Sequence, residues 1–413
     1  MGIDRISENR RFFAGKRAGL ITNFSGLTSD WKRYNWEILR SNDCEVCRIF
    51  TPEHGLYGAK AGEEIADGER VDGIPVTSLY GKKKCPDERD LTELDILIFD
   101  IQDVGLRYYT YLYTMTYAME AAAQAGIPFV VLDRPNPLGG RNIQGPRISP
   151  DIHSFVGDYE LPMRHSLTMG ELSLYFQKYR GLSMELSVIK MDNYSRNMLF
   201  PQTGHVWNTP SPALPTFESV LCYSGGVLAE ALNISEGRGT ATPFQVYGAP
   251  YIDMDSVFRD ICGDMGDELA CRTRAFVPQY GKFAREQCFG LEFRPLTAAC
   301  DFLPCMLKFL KIIYERYPDQ MAIRDKKAAS EQTAISDKTS AFDQTVVQTE
   351  NGSGKETGKE TGKETGVNLR VLYGNDDIAD FLEGRLTLED LKQSWRSDAE
   401  IFEEYVRDIR LYA

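Results

Sequence analysis

Glu53 and His54 stand side by side in RIFTPEHGLYG (48–58), where an apolar run stops at Pro52 and an acid, an imidazole and Gly55 follow. A glutamate emerging from a buried strand between a proline and a glycine is held stiffly and partly desolvated. That favours its neutral form and suits it to give a proton to a leaving oxygen. Glycoside cleavage needs such an acid. It commonly adds a second carboxylate as base or nucleophile, unless an acetamido group of the substrate takes that part. DIQDVGLRYYTY (100–111) offers Asp103 for the second role. Asp103 reads equally well as the partner of Arg107 in a structural ion pair, and both readings stand at this point.

Four more stretches carry polar side chains toward the same chemistry. ITNFSG contributes Asn23, DIQDVGLRYYTY also carries Arg107 and Tyr109, and LDRPNPLGG contributes Asp133, Arg134 and Asn136. LPMRHSLTMGEL places Arg164 and His165 just ahead of a predicted helix, and VLAEALNISEGRGTATPF carries Glu230, Glu236, Arg238 and Thr240. Taken singly, each is a turn: Asp100 and Asp133 as caps, Asn136 as an Asx turn, Gly55 and Gly105 as positive-φ positions. Collected at one rim, unpaired charges need partners or a ligand, which points to a polar small-molecule site. Arg238 lies between two glycines, so its fork can approach a ligand carboxylate with little obstruction.

The elements that must position these groups alternate in type. RAGLITN, EVCRIFT, LDILIFD and IPFVVLD read as strands; YNWEILRSN and YTYLYTMTYAMEAAAQAG, the latter closing on Gly126 and Pro128, read as helices. That alternation predicts an α/β fold with a parallel sheet covered on both faces, whose ligands bind outside the carboxyl ends of the strands. Thr168 three residues before Glu171 has capping-box spacing and predicts a helix start. From about Pro243 the alternation lapses, and FLPCMLKFLKIIYERYP and LEDLKQSWRSDAEIFEEYVRDIRLY read as amphipathic helices. The expected division is therefore 1–242 and 243–413. Residues 325–367, with the tandem GKETGKETGKETG, are too poor in large apolar groups to fold and read as a disordered insertion.

Composition removes several function classes. Sixty acidic against 47 basic residues give a net charge of −13, which disfavours nucleic acid and anionic membranes as partners. No apolar run approaches the ~18 residues of a membrane span. The N-terminus is too polar for a secretory signal, so the chain as written is expected in the cytoplasm, or outside it if the start has been trimmed. G-x-G-x-x-G, the P-loop pattern and G-x-S-x-G are all missing from the strand exits, and no H-E-x-x-H occurs among the four histidines. Cys44 and Cys47 form the one C-x-x-C, inside a strand-like run with no second pair at zinc spacing. No cofactor and no metal are expected.

In this order, TPEHG, DIQDVGLRYYTY, LDRPNPLGG, MRHSLTMGEL, WNTPSPALPT and EALNISEGRGT resemble the exo-β-N-acetylmuramidase family, long known only as a bacterial domain of unknown function. The resemblance covers nearly the whole chain outside the insertion. It implies a Rossmann-like N-terminal domain, a smaller C-terminal α/β domain, and release of N-acetylmuramic acid from the non-reducing ends of peptidoglycan fragments. It also implies Glu53 as the catalytic residue, and matches Glu230, Asn233, Arg238 and Thr240 to the late motif, with Glu236 at a variable position. Muramic acid bears a lactyl carboxylate, for which Arg107, Arg134, Arg164 and Arg238 are the candidate cations. Two positions depart from the family pattern: Ala213 stands where Asn is expected, and Ser166 where Gly is expected. The alternatives are a sugar-binding protein that uses the same cleft without turnover, and an amidase or esterase acting on muropeptides.

Overall fold

The computed structural model describes residues 1–58, 70–264, 266–321 and 368–413; the insertion read at 325–367 lies outside them. Six parallel strands build the main sheet: β1 (Arg17–Thr22), β2 (Glu45–Thr51), β4 (Ile74–Ser78), β5 (Ile96–Asp100), β6 (Phe129–Leu132) and β9 (Leu186–Ile189). A short β3 (Arg70–Val71) adds antiparallel to β4, and β7 (Gln144–Arg147) with β8 (Pro162–Arg164) forms a separate ribbon. The spatial order is β3-β4-β2-β1-β5-β6-β9. The chain runs outward from β1 through β2 to β4, then returns to β5 on the other flank of β1. The strand order therefore reverses between β1 and β5, and sheets of this kind bind ligands outside the carboxyl ends of the strands at such a reversal.

The four strands expected from sequence are present, and their apolar runs are continuous because both faces are covered. Ile21, Phe50, Phe99, Phe129 and Val131 pack with Leu112 and Met115 of α3 (Tyr111–Ala125) and with Leu172 and Phe176 of α4 (Met169–Arg180). Leu20, Ile49, Ile98, Val130 and Leu132 face the other way, onto Trp36 and Leu39 of α1 (Asn35–Ser41) and onto Ile3, Ile6 and Phe13 of the N-terminal turns. Gly126 and Gly181, both left-handed, close α3 and α4. Thr168 caps α4 as its spacing predicts, its side chain accepting from Glu171 N while Glu171 Oε2 accepts from Thr168 N.

β4 and β9 are additions to the sequence reading. IPVTS is short and contains a proline, and the edge strand LSVI is only half buried, so neither shows a distinct period. The second half folds around an antiparallel sheet in the order β10 (Val246–Ala249), β12 (Cys288–Pro295), β11 (Leu269–Phe276). α5 (Phe217–Gly226) and α7 (Phe302–Arg316) pack on it through Val220, Leu221, Leu303 and Met306, which belong to the same apolar cluster as α3 and α4. The helix expected over 388–412 runs from Leu388 to Val406 and ends in a 3-10 turn, Arg407–Ile409.

Candidate active site

The carboxyl ends of the central strands converge on Glu53. At the exit of β2, Pro52 ends the ladder and two successive left-handed residues, His54 and Gly55, both at φ 70°, fold the chain back on itself. Glu53 is left half buried on the outside of this turn. Its Oε2 accepts a hydrogen bond of 2.8 Å from Thr110 Oγ1, at the start of α3. The next strand outward, β4, pairs Ser78 with Thr51 and delivers Tyr80 beside the same carboxylate. The Tyr80 phenol is raised above its ordinary range, by burial first and then by the Glu53 charge.

The proline-rich segment closes over this rim. Pro210 O accepts 2.7 Å from the Tyr111 hydroxyl, Asn208 donates to Ser25 O at 3.1 Å, and Ser211 Oγ lies 3.1 Å from His54 Nε2. Asn23 belongs to the same corner, bonding the Tyr111 hydroxyl at 3.1 Å while its Oδ1 holds Ser25. Ala213 is buried in the main core, so the missing Asn is replaced by packing.

From Tyr111 a continuous set of ring contacts leads to the late motif. Tyr111 meets Tyr109 at 4.6 Å between centroids, Tyr109 meets Tyr223 at 6.5 Å, and Tyr223 meets Phe244 at 4.6 Å. The Arg238 guanidinium lies 4.8 Å over Phe244. Arg238 is bonded to Glu230 at 2.7 Å and to Glu236 at 3.1 Å. Burial raises the Glu230 carboxyl, against the pull of Arg238; on Glu236 the charges of Lys282 and Arg238 outweigh burial and lower it. Thr240 turns inward, donating to Gly237 O at 2.6 Å.

Several of the expected ligand groups serve the scaffold instead. Arg107 is fully buried, and its guanidinium donates to four carbonyls, those of Pro146, Leu161, Leu372 and Tyr373, at 2.8–3.0 Å. Asp103 therefore has no ion pair with it. Its Oδ1 accepts from Gly105 N at 2.7 Å, its Oδ2 has no hydrogen-bond partner among the described residues, and burial pushes its pKa up to about 7. Arg134 forms a buried fork with Asp100 at 2.6 and 3.0 Å, and Arg164 donates to Leu138 O. Asp133 accepts from Thr168, Gly170 and Tyr412, and Asn136 bridges Leu167 O and Leu138 N. A Cβ at Gly105 would meet the Asn136 amide at 2.2 Å, which explains that glycine. His165 is fully buried, and burial lowers its pKa to about 3, so it is neutral at physiological pH. Most of these polar groups at the strand exits are thus engaged by backbone or by other buried side chains and not left free for a ligand.

What sequence reasoning missed is Thr110, Tyr80, Tyr111, Tyr223 and Ser211. Tyr80 follows the unrecognised strand β4. Thr110 and Tyr111 sit inside a stretch already marked for its charged residues.

Comparison with known proteins places this geometry. Sequence models of the exo-β-N-acetylmuramidase NamZ family match the N-terminal part at residues 18–218 and the C-terminal part at 221–412. The chain is 42% identical over 326 residues to the peptidoglycan β-N-acetylmuramidase NamZ of Bacillus subtilis, covering 77% of this chain and 78% of that one. Two crystal structures of DUF1343 family proteins from Bacteroides fragilis superimpose over 100% of this chain and 98% of theirs. Their TM-scores are 0.82 and 0.67, at 27% and 26% identity. The chain therefore belongs to the exo-β-N-acetylmuramidase NamZ family.

Proposed function

We infer that the chain is a glycoside hydrolase that releases N-acetylmuramic acid from the non-reducing ends of peptidoglycan fragments, with Glu53 as its general acid. The observation that carries the assignment of Glu53 is its placement: a half-buried carboxyl on the rim beside the switch between β1 and β5, aimed by Thr110. Family membership supports the substrate class.

Glu53 gives its proton to the glycosidic oxygen as the bond from that oxygen to the muramic acid C1 breaks, and a water molecule finally supplies the new oxygen on C1. Asp103 is 5% exposed and tied to Gly105, so the substrate's acetamido group is the better candidate to assist at C1. The buried rings from Tyr111 to Phe244 back the site from within the core, and the partly exposed Glu230–Arg238 pair presents polar groups at its far end. We keep the domain division at 242, since the second sheet starts at Val246.

A chromogenic muramide tests the reading. Wild type should release muramic acid and Glu53→Gln should release none while melting at the same temperature. Near-wild-type turnover in that variant would remove Glu53 from the mechanism, and loss of peptide without loss of sugar from muropeptides, read by mass, would replace the glycosidase with an amidase.

A further inference from the structure

Muramic acid differs from N-acetylglucosamine by a lactyl ether whose free carboxylate carries a charge, so a muramidase that reads this group needs a cation near its acid. The four arginines nominated from sequence are poorly placed to do so. Arg107 is fully buried with both terminal nitrogens held by four carbonyls, Arg134 is committed to Asp100, and Arg164 is buried against Leu138 O. Arg238 is clamped between Glu230 and Glu236, so an incoming anion would meet two negative charges as well as one positive.

A fifth cation stands on the loop after β4. Leu79 N donates to Thr51 O at 2.8 Å, which sets this loop beside the β2 exit that carries Glu53. Five residues on, Lys84 is exposed, and its ammonium lies 4.3 Å from the centre of the Phe155 ring. Phe155 in turn contacts Tyr80 at 6.3 Å between centroids, and Tyr80 borders Glu53. Among the described residues no acid lies within ion-pair distance of Lys84. Partial burial lowers its pKa, and the Glu53 charge opposes that shift. An ammonium steered by an aromatic face, with no carboxylate partner among the described residues, is a ready receptor for an anion.

We propose that Lys84 is the specificity-determining residue that binds the free lactyl carboxylate of muramic acid, seating the sugar so that its glycosidic oxygen meets Glu53. The proposal deepens the muramidase reading and rests on it for the identity of the sugar.

Calorimetric titration with N-acetylmuramic acid and with its uncharged lactyl amide tests it independently of turnover. Lys84→Met keeps the stem and removes the charge; it should weaken the acid about 10- to 100-fold and leave the amide within about twofold, and Lys84→Arg should restore most of the affinity. In kinetics on a chromogenic muramide the same variant should raise KM with kcat little changed, as expected for binding shared by ground and transition states. Equal weakening of acid and amide, or no weakening of either, overturns the role of Lys84. Failure of wild type to release muramic acid while the acid still binds through Lys84 would instead sink the hydrolase reading and leave the carboxylate site standing.

Discussion

Thr110 Oγ1 donates to Glu53 Oε2 at 2.8 Å across 57 residues of chain, joining the entrance of α3 to the exit of β2. One carboxylate oxygen is thereby fixed, and Tyr80 borders the same carboxylate from the β4 side. Thr110→Val should lower kcat by roughly 10-fold, since a hydrogen bond to a charged group contributes about 1.5–3 kcal/mol. Thr110→Ser should keep most of the activity, and unchanged rates in the valine variant would show that the bond does not orient the acid.

Asp103 supplies a prediction in pH. Its folded pKa of about 7 lies above the unfolded carboxylate value, so between about pH 4 and 7 the native state holds a proton that the unfolded state has lost. Stability from this group is therefore present at low pH and falls as pH rises through that window. Asp103→Asn should flatten the slope, gaining on the order of 2–4 kcal/mol at pH 8, measured by denaturant unfolding at several pH values. Turnover within about tenfold of wild type is expected as well; complete loss of activity would make Asp103 the second catalytic carboxyl.

The Arg134–Asp100 fork is buried on both sides, at 3% and 0% exposure. Arg134→Met strands an unpaired carboxylate beneath the rim and should cost about 3–5 kcal/mol. Asp100 also accepts from Asn35, so the damage should reach α1. A loss below about 1 kcal/mol in unfolding experiments would mean that solvent reaches the pair.

Ser166, at a position where the sequence resemblance leads one to expect glycine, holds φ 58° with a buried hydroxyl that lacks a partner among the described residues. Ser166→Gly should relieve both defects and stabilise the protein by about 1 kcal/mol, seen as a small rise in Tm. A fall in Tm would show that the serine side chain contributes packing that outweighs its backbone strain.

The sheet was legible because burial on both faces writes unbroken apolar runs into β1, β2, β5 and β6, and because Gly126, Gly181 and the Thr168–Glu171 pair punctuate the helices by local chemistry. The site was legible as a set of strand exits. It was not legible which polar groups at those exits point outward, because Arg107, Arg134, Asp133 and the Asn136 amide nitrogen find their partners through contacts with distant segments that no spacing announces. The same limit hid Tyr80 and Lys84: their loop is tied to Glu53 through the pairing of Thr51 with Ser78, and β4 shows no alternation that would have marked it.

Arg107 reaches from the β5 exit to the carbonyls of Leu372 and Tyr373, some 265 positions further along, and a single apolar cluster runs beneath both halves of the chain. The C-terminal part is consequently a structural tenant of the catalytic rim and not a separable module. A protein cut at residue 242 would leave a guanidinium facing two missing acceptors and strip the cover from α5, so the isolated front half should emerge as aggregate, and activity should return only when the two pieces are produced together.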